Sequence, residues 1–410
     1  MNKNIISVMD KTGLFVLGLM LLGVNASAQV PDTINIENSN VRAYINDNEY
    51  TRESNKSVIR KYLDGLGERR LDQANALHIT LPAAAEEEGK FYYSTSEDFS
   101  DAIVLDIKKG DTECKAGNLV PQTTVYTKAV INGETVVEGK TFIDGHVRMM
   151  NLESVLNMRD MGGWMTSSGK RIQYGLLYRG SAIDFQVGHF ISREDIDEMK
   201  RLGVGADLDL RDSHESYETE SALGSSVAYQ FVGHSASDYT SLRTDASKWK
   251  KDFEFIVKNL REGKSVYQHC ILGADRTGLM SFIIGGILGM DIDALFKDYE
   301  LTSMTASNYL REWPRINLCV EYINTRPGNT FQDRFEYYFI NDLRVNAKYV
   351  RDFRKIMLDG YDSYYQTIGI DDVETDESVN DDIFYDLSGR VVKNPSKGIY
   401  IKNGKKYIVN

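Results

Sequence analysis

Hydrophobic and polar positions change rhythm along the chain, and each rhythm predicts a different kind of structure. From about residue 50 to 145 short runs alternate with period two, as in Lys90-Phe91-Tyr92-Tyr93, Ala102 to Asp106 and Thr124 to Val130, which is the spacing of half-buried strands. Asn132-Gly133 between two such runs reads as a hairpin turn, because both residues accept positive φ. Beyond residue 146 strands alternate with helical periods: Ile191 to Leu202 and Trp249 to Leu260 read as helices, Ala206 to Leu210 and Ser265 to Gln268 as strands. That order suits an α/β layer fold with a central sheet flanked by helices. Thr277 to Ile284 is apolar and free of proline, and helical patterns continue through Asp293 to Tyr299, Val320 to Asn324 and Phe331 to Tyr365. Ser213 to Lys248 has weak periodicity and many polar residues, the profile of a lid or a wall built for one substrate.

With 410 residues, several domains are expected. The changes of rhythm divide the chain into a β-sandwich over 29–145, an α/β catalytic domain over 146–365, an acidic solvated linker over 366–380 and a small β module over 381–410. Ahead of them, Lys3 and Lys11 precede the apolar run Leu14 to Leu22, and Ala26-Ser27-Ala28 offers cleavage before Gln29. Residues 1–28 therefore read as a signal peptide, too short for a membrane span, and no transmembrane segment is expected in the mature chain. The net charge of -12 speaks against nucleic acid as a partner, since that needs a basic face. Export would favour disulfides, yet the cysteines number three, Cys114, Cys270 and Cys319, so at least one stays free.

The residues His269-Cys270-Ile271-Leu272-Gly273-Ala274-Asp275-Arg276-Thr277-Gly278 join a strand to a helix. The free amides of the helix's first turn and its partial positive charge favour an anion in that loop. Gly273 lets the backbone fold tightly, so that the amides of Ile271, Leu272, Gly273, Ala274, Asp275 and Arg276 converge on the oxygens of one phosphate. Arg276 adds a planar, bidentate clamp. A cysteine held there has its pKa lowered from about 8.5 toward about 3.5 to 7.5, so Cys270 reads as a nucleophile that attacks phosphorus and is later released by water. Thr277 is placed to hydrogen-bond the thiolate, although threonine is also an ordinary capping choice at a helix start.

This segment resembles the signature loop of cysteine-dependent tyrosine and dual-specificity phosphatases. Its Asp-Arg-Thr-Gly ending is similar to the bacterial tyrosine phosphatase family whose loop usually reads HCxxGKDRTG, some members of which also act on phosphoinositides. Asn157 to Gly163 matches the family's NxRDxGG opening, Tyr178-Arg179-Gly180-Ser181 its YRS-like strand end, and Asp209-Leu210-Arg211 with Glu215 its DLRxxxE segment. The resemblance covers roughly residues 146 to 365. It implies hydrolysis of phosphate monoesters, most simply protein phosphotyrosine, without a cofactor, and gives supporting roles to His269, Arg159, Asp160, Arg179 and Arg211. One departure matters: Ala274 stands where the family commonly has lysine. The missing cation weakens the phosphoinositide or inositol-phosphate reading, unless Arg159, Arg179 or Arg211 faces the pocket instead of fixing a turn. A phosphate-ester binding module with a retired active site is a further alternative, disfavoured because Cys270, Arg276 and Thr277 are all present.

The proton donor is read as Asp275, which the family resemblance also suggests, with Asp209 or Asp212 as alternatives; Asp209 otherwise orients Arg276 or a loop amide. His269 reads as a loop-holding residue. A metal mechanism is not expected: His78, His146, His189, His214, His234 and His269 are scattered, with no pair at i, i+4 and no Cys-x-x-Cys. Asn118 to Tyr126 resembles a late strand of a fibronectin type III or immunoglobulin-like sandwich, which implies a docking or spacing module. Phe384 to Arg390 and Gly398 to Lys406 resemble the terminal sorting-type tail of exported proteins of Bacteroidetes-like bacteria. With the leader, that places the protein in the periplasm, at the cell surface or outside a Gram-negative cell.

Overall fold

The computed structural model describes residues 29–47, 58–63, 73–184, 190–213, 218–234, 239–305 and 310–359, and the strands at 384–385, 391–392, 398–402 and 405–409. The leader, the 366–380 linker, His189, His214 and Glu215 lie outside the described residues. The chain forms two compact units, one up to Asp359 and one from Gly360 to Asn410. Among the described residues no helix is long and apolar enough to cross a membrane.

The first unit opens with β1 (Thr33–Asn35) and α1 (Ser39–Ile45), followed by β2 (Leu77–Thr80), β3 (Gly89–Ser94), β4 (Ile103–Ile107), β5 (Glu113–Ala116), β6 (Thr123–Ile131) and β7 (Glu134–Asp144). The period-two pattern does what it predicts: β2 buries Leu77 and Ile79 and exposes His78 and Thr80. A five-stranded sheet has the order β1-β7-β6-β3-β4, and β2 and β5 form a separate antiparallel pair. Asn132 and Gly133, with φ of 55° and 81°, close the β6–β7 hairpin.

The same unit continues with β8 (Arg159–Asp160), β9 (Leu177–Gly180), α2 (Arg193–Arg201), β10 (Val204–Asp209), β11 (Ala228–Phe231), α3 (Ser241–Thr244), α4 (Ala246–Arg261) and β12 (Ser265–His269). The second sheet runs β11-β10-β12-β9-β8, parallel except for the β8–β9 pair. Its register sets Asp209, His269 and Gly180 level with one another, so their strands deliver the following residues to one end of the sheet, where α/β proteins bind ligands. The polar stretch 213–248 departs from the lid expectation, since it holds β11, α3 and the start of α4. Its Ala228–Phe231 is an edge strand with every residue half-buried, a burial that leaves no clear alternation in the sequence.

Behind β12 comes α5 (Arg276–Leu288), all of whose residues are buried. A Cβ on Gly286 would lie 2.2 Å from the Phe335 ring, so this glycine permits close packing against the helix that carries Phe335. Then follow α6 (Ile292–Glu300), capped by the Asp291 side chain, α7 (Trp313–Asn324), α8 (Phe331–Tyr337), with a Thr330–Asp333 capping box, and α9 (Ala347–Met357). The helical pattern over Phe331 to Tyr365 is thus divided between α8 and α9, and 360–365 lie outside the described residues. Tyr338–Asp342 widens into a π turn, Arg344 takes φ of 57°, and Asn346 caps a new helix by accepting from the Lys348 amide. The expected helix at Val320 starts earlier, at Trp313, with proline in its first turn. In the second unit β13 (Phe384–Tyr385), β14 (Val391–Val392), β15 (Gly398–Lys402) and β16 (Lys405–Val409) pair in the order β14-β13-β15-β16.

Candidate active site

The loop from Cys270 to Arg276 is shaped by the donors around its carbonyls. His269 O accepts from the Leu210 amide at 2.8 Å and Ile271 O from the Ala182 amide at 2.9 Å. Asn157 Nδ2 donates to Leu272 O at 3.1 Å and to Gly273 O at 3.0 Å, and Arg179 Nη2 donates to Gly273 O at 2.9 Å. Cys270 O meets His269 Nδ1 at 3.2 Å, and the Ala274 and Asp275 carbonyls start α5 through Gly278 and Leu279. Each carbonyl from His269 to Asp275 is therefore engaged on the outside of the loop. The amides of Ile271, Leu272, Gly273, Ala274 and Asp275 make no hydrogen bond among the described residues, the arrangement of an anion nest. Gly273 has φ of 66°, and a Cβ there would lie 2.4 Å from Gly180 O, so both conformation and space require glycine.

Cys270 sits buried at the centre. Burial opposes its ionisation, but the Arg276 guanidinium and the hydroxyl and amide of Thr277 prevail and hold the thiol below its ordinary range. The Thr277 hydroxyl is buried without a hydrogen-bond partner that meets ordinary geometry, so the sulfur is its electrostatic neighbour. The remaining cysteines differ. Cys114, on β5, has a thiol pushed up to about 11 by burial, and Cys319 is fully buried in α7 and donates to Tyr239 O; no disulfide joins any of the three.

Three sets of buried ions surround the loop. Asp298 of α6 accepts from Arg159 Nε at 2.9 Å and Arg179 Nη1 at 2.6 Å. Burial opposes the charge on this carboxylate, but the two arginines hold it below the usual range. Burial and the nearby Arg159 bring Arg179 down to about 10, which leaves it a cation at neutral pH. Asp160 receives the Gly162 and Gly175 amides and Arg148, so it fixes the turn that carries Asn157 and Arg159. His269 Nε2 faces Asp207 at 3.1 Å. Despite burial, Asp207 and Asp209 raise the imidazole to about 9.

These placements correct several expectations. Arg159 and Arg179 are committed to Asp298, and Arg211 to Asp209 and Asp184, so none supplies the cation absent at Ala274. Asp209 makes no contact with Arg276: its carboxylate accepts from Arg211 and from the Tyr229 hydroxyl at 2.9 Å. Although burial disfavours its charge, His269 and Arg211 hold it far below the carboxylate range, which removes it as a proton donor. Asp275 has both oxygens engaged, by Tyr239 at 2.5 Å and by Arg311 at 2.6 Å. Asp212 lies half-buried just past the end of β10. His234 is a buried core residue whose Nε2 lies 2.5 Å from Asp252. Asn157, Asp298, Asp207, Tyr239 and Arg311 were not read as site residues. Only Asn157 carried a local signal, as the first residue of the NxRDxGG run.

Residues 150–377 match a family model described as the tyrosine phosphatase family. A protein of Cupriavidus necator provisionally named a tyrosine-protein phosphatase is 25% identical over 169 residues, covering 36% of this chain. The chain spans 60% of that relative's length. The crystal structure of TpbA from P. aeruginosa aligns over 41% of this chain and 90% of its own, at 15% identity and a TM-score of 0.29.

Proposed function

Because the chain belongs to the tyrosine phosphatase family, we propose that it hydrolyses phosphate monoesters of protein tyrosine through a phosphocysteine. One observation carries the proposal: the carbonyls of the 269–275 loop are all held outward while a cysteine with a lowered pKa sits at its centre. The substrate's phosphoryl oxygens are received by the amides from Ile271 to Asp275 and by Arg276, which stabilise the charge of the transferring group. The Cys270 thiolate attacks phosphorus, the P–O bond to the tyrosyl oxygen breaks, and that oxygen takes a proton from a carboxyl group. Water then attacks the phosphocysteine, the S–P bond breaks toward sulfur, and inorganic phosphate leaves. Asp212 is the proton donor in this scheme, since it follows the strand that pairs level with His269 and the carboxylates of Asp209 and Asp275 are otherwise held. The positive charge comes from Arg276 and the backbone, so no metal is called for.

The strand order β4-β3-β6-β7 beside a β2–β5 pair supports reading residues 29–145 as a fibronectin type III or immunoglobulin-like spacer. The apolar run before Ala26-Ser27-Ala28 supports export.

The test is a substrate panel with chelator present, comparing phosphotyrosine peptides, phosphoserine peptides and phosphoinositides, with Cys270→Ser as control. Wild type should release phosphate fastest from phosphotyrosine, and the serine variant should lose turnover by at least about a thousandfold while retaining phosphopeptide binding. Turnover by the serine variant, or loss of activity on chelation, would sink the phosphocysteine scheme.

A further inference from the structure

We infer that Arg315, at the start of α7, is a specificity residue that recognises an acidic side chain next to the phosphotyrosine of a peptide substrate. This rests on the tyrosine-phosphatase reading above. The loop carries alanine at position 274, and Arg159, Arg179 and Arg211 are tied to Asp298, Asp209 and Asp184. Inside the loop Arg276 is thus left to face the phosphate itself.

Charge instead arrives from α7 and the segment before it. Asp275 sits beside Arg276 in the loop and holds three groups: the Tyr239 hydroxyl at 2.5 Å, Arg311 Nη2 at 2.6 Å and Arg315 Nη1 at 3.8 Å. The first two satisfy both carboxylate oxygens. Arg315, whose side chain is 55% exposed, makes no other ion pair among the described residues. It is a surplus cation held at the rim of the loop by a long contact that an incoming anion can replace. Its guanidinium suits a carboxylate, which it can meet with two parallel hydrogen bonds.

The position decides between anionic substrates. A second phosphate on the same ring as the reacting one would lie close to the first and need a cation at loop position 274, where there is a buried methyl group. Arg315 reaches the loop from a separate helix, 3.8 Å from the Asp275 carboxylate, so the anion it meets is carried by a part of the substrate other than the phosphate held at Cys270, and in an extended peptide a neighbouring carboxylate is such a group. Leu318, one helical turn further on and also exposed, extends the same face with an apolar contact.

The experiment compares kcat/KM for a phosphotyrosine peptide with aspartates beside the phosphorylated residue and for its asparagine counterpart, in wild type, Arg315→Ala, Arg315→Glu and Arg315→Lys. Wild type should favour the acidic peptide about fivefold, the range of a solvent-exposed ion pair. Arg315→Ala should erase that preference, Arg315→Glu should reverse it, and Arg315→Lys should restore part of it. The change should lie mainly in KM and shrink as salt is raised from 50 to 500 mM. Equal loss on both peptides, an unchanged ratio in the glutamate variant, or a preference confined to phosphoinositide vesicles would overturn the inference. If wild type hydrolyses neither peptide, the phosphotyrosine reading itself has failed, which is a different result.

Discussion

The N-terminal and catalytic regions of the first unit bury different things. Strands β2 to β7 of the N-terminal region bury apolar side chains and a few hydroxyls such as Thr127 and Thr141, and no ionised side chain in them is buried. Strands β8 to β12 of the catalytic region bury Arg159, Asp160, Arg179, Asp207, Asp209 and His269. Removing charges from water usually costs as much as their attraction returns. A sheet that does this repeatedly is giving up stability for position, and perturbed ions gather where chemistry needs them. Here the position being fixed is that of the loop carbonyls, held directly by Asn157 and Arg179 and at one remove by Asp298 and Asp160.

The contrast is broken most severely at Asp298. Asp298→Ala would leave Arg159 and Arg179 buried beside each other with no carboxylate, and the loss should be about 3 to 5 kcal/mol. Urea unfolding should show it. Arg179 would also lose the partner that aims it at Gly273 O, so kcat on a small aryl phosphate should fall even in the folded fraction. Wild-type stability in this variant would mean that the buried ions are incidental.

A smaller effect should follow pH. His269 is raised from 6.5 to about 9 by Asp207 and Asp209 against the cost of burial. The folded state thus binds this proton more tightly than the unfolded chain. Its contribution is complete below pH 6.5 and is lost as pH rises through about 9. The shift corresponds to something on the order of 3 kcal/mol. Urea midpoints of wild type should decline across this window more steeply than those of His269→Gln, which has no proton to lose. Parallel curves for the two proteins would show that the imidazole is neutral.

Asp298 and His269 owe their charge to residues remote in sequence, whereas other features are local. The Cys270 loop, the strands and the hairpin at Asn132-Gly133 were legible because each depends on neighbours within a few residues. The break at Arg344 and Asn346 was not, since only a backbone angle and a cap separate α8 from α9. Partners across the sheet were also hidden. Asp298 lies 139 residues from Arg159, and Arg311 lies 36 from Asp275, separations that no local pattern encodes. The partners of Asp275 and Asp209 were hidden as well: Arg311 and Arg211 are brought to them by the fold.

The smallest effect belongs to the other sheet. Lys90 and Asp106 face each other across β3 and β4, 2.5 Å apart, with a shorter contact than most of the buried pairs. Distance alone would rank this pair among the strongest in the molecule. Its side chains, however, are 55% and 73% exposed, so water solvates both ions before and after the pair is broken, and ordering two long side chains offsets much of the attraction. Lys90→Ala should therefore leave Tm unchanged within measurement error, in low salt as in high. A loss approaching that of Asp298→Ala would mean that ion-pair geometry, and not removal from water, governs stability in this chain. The buried ions around Cys270 would then need no functional explanation.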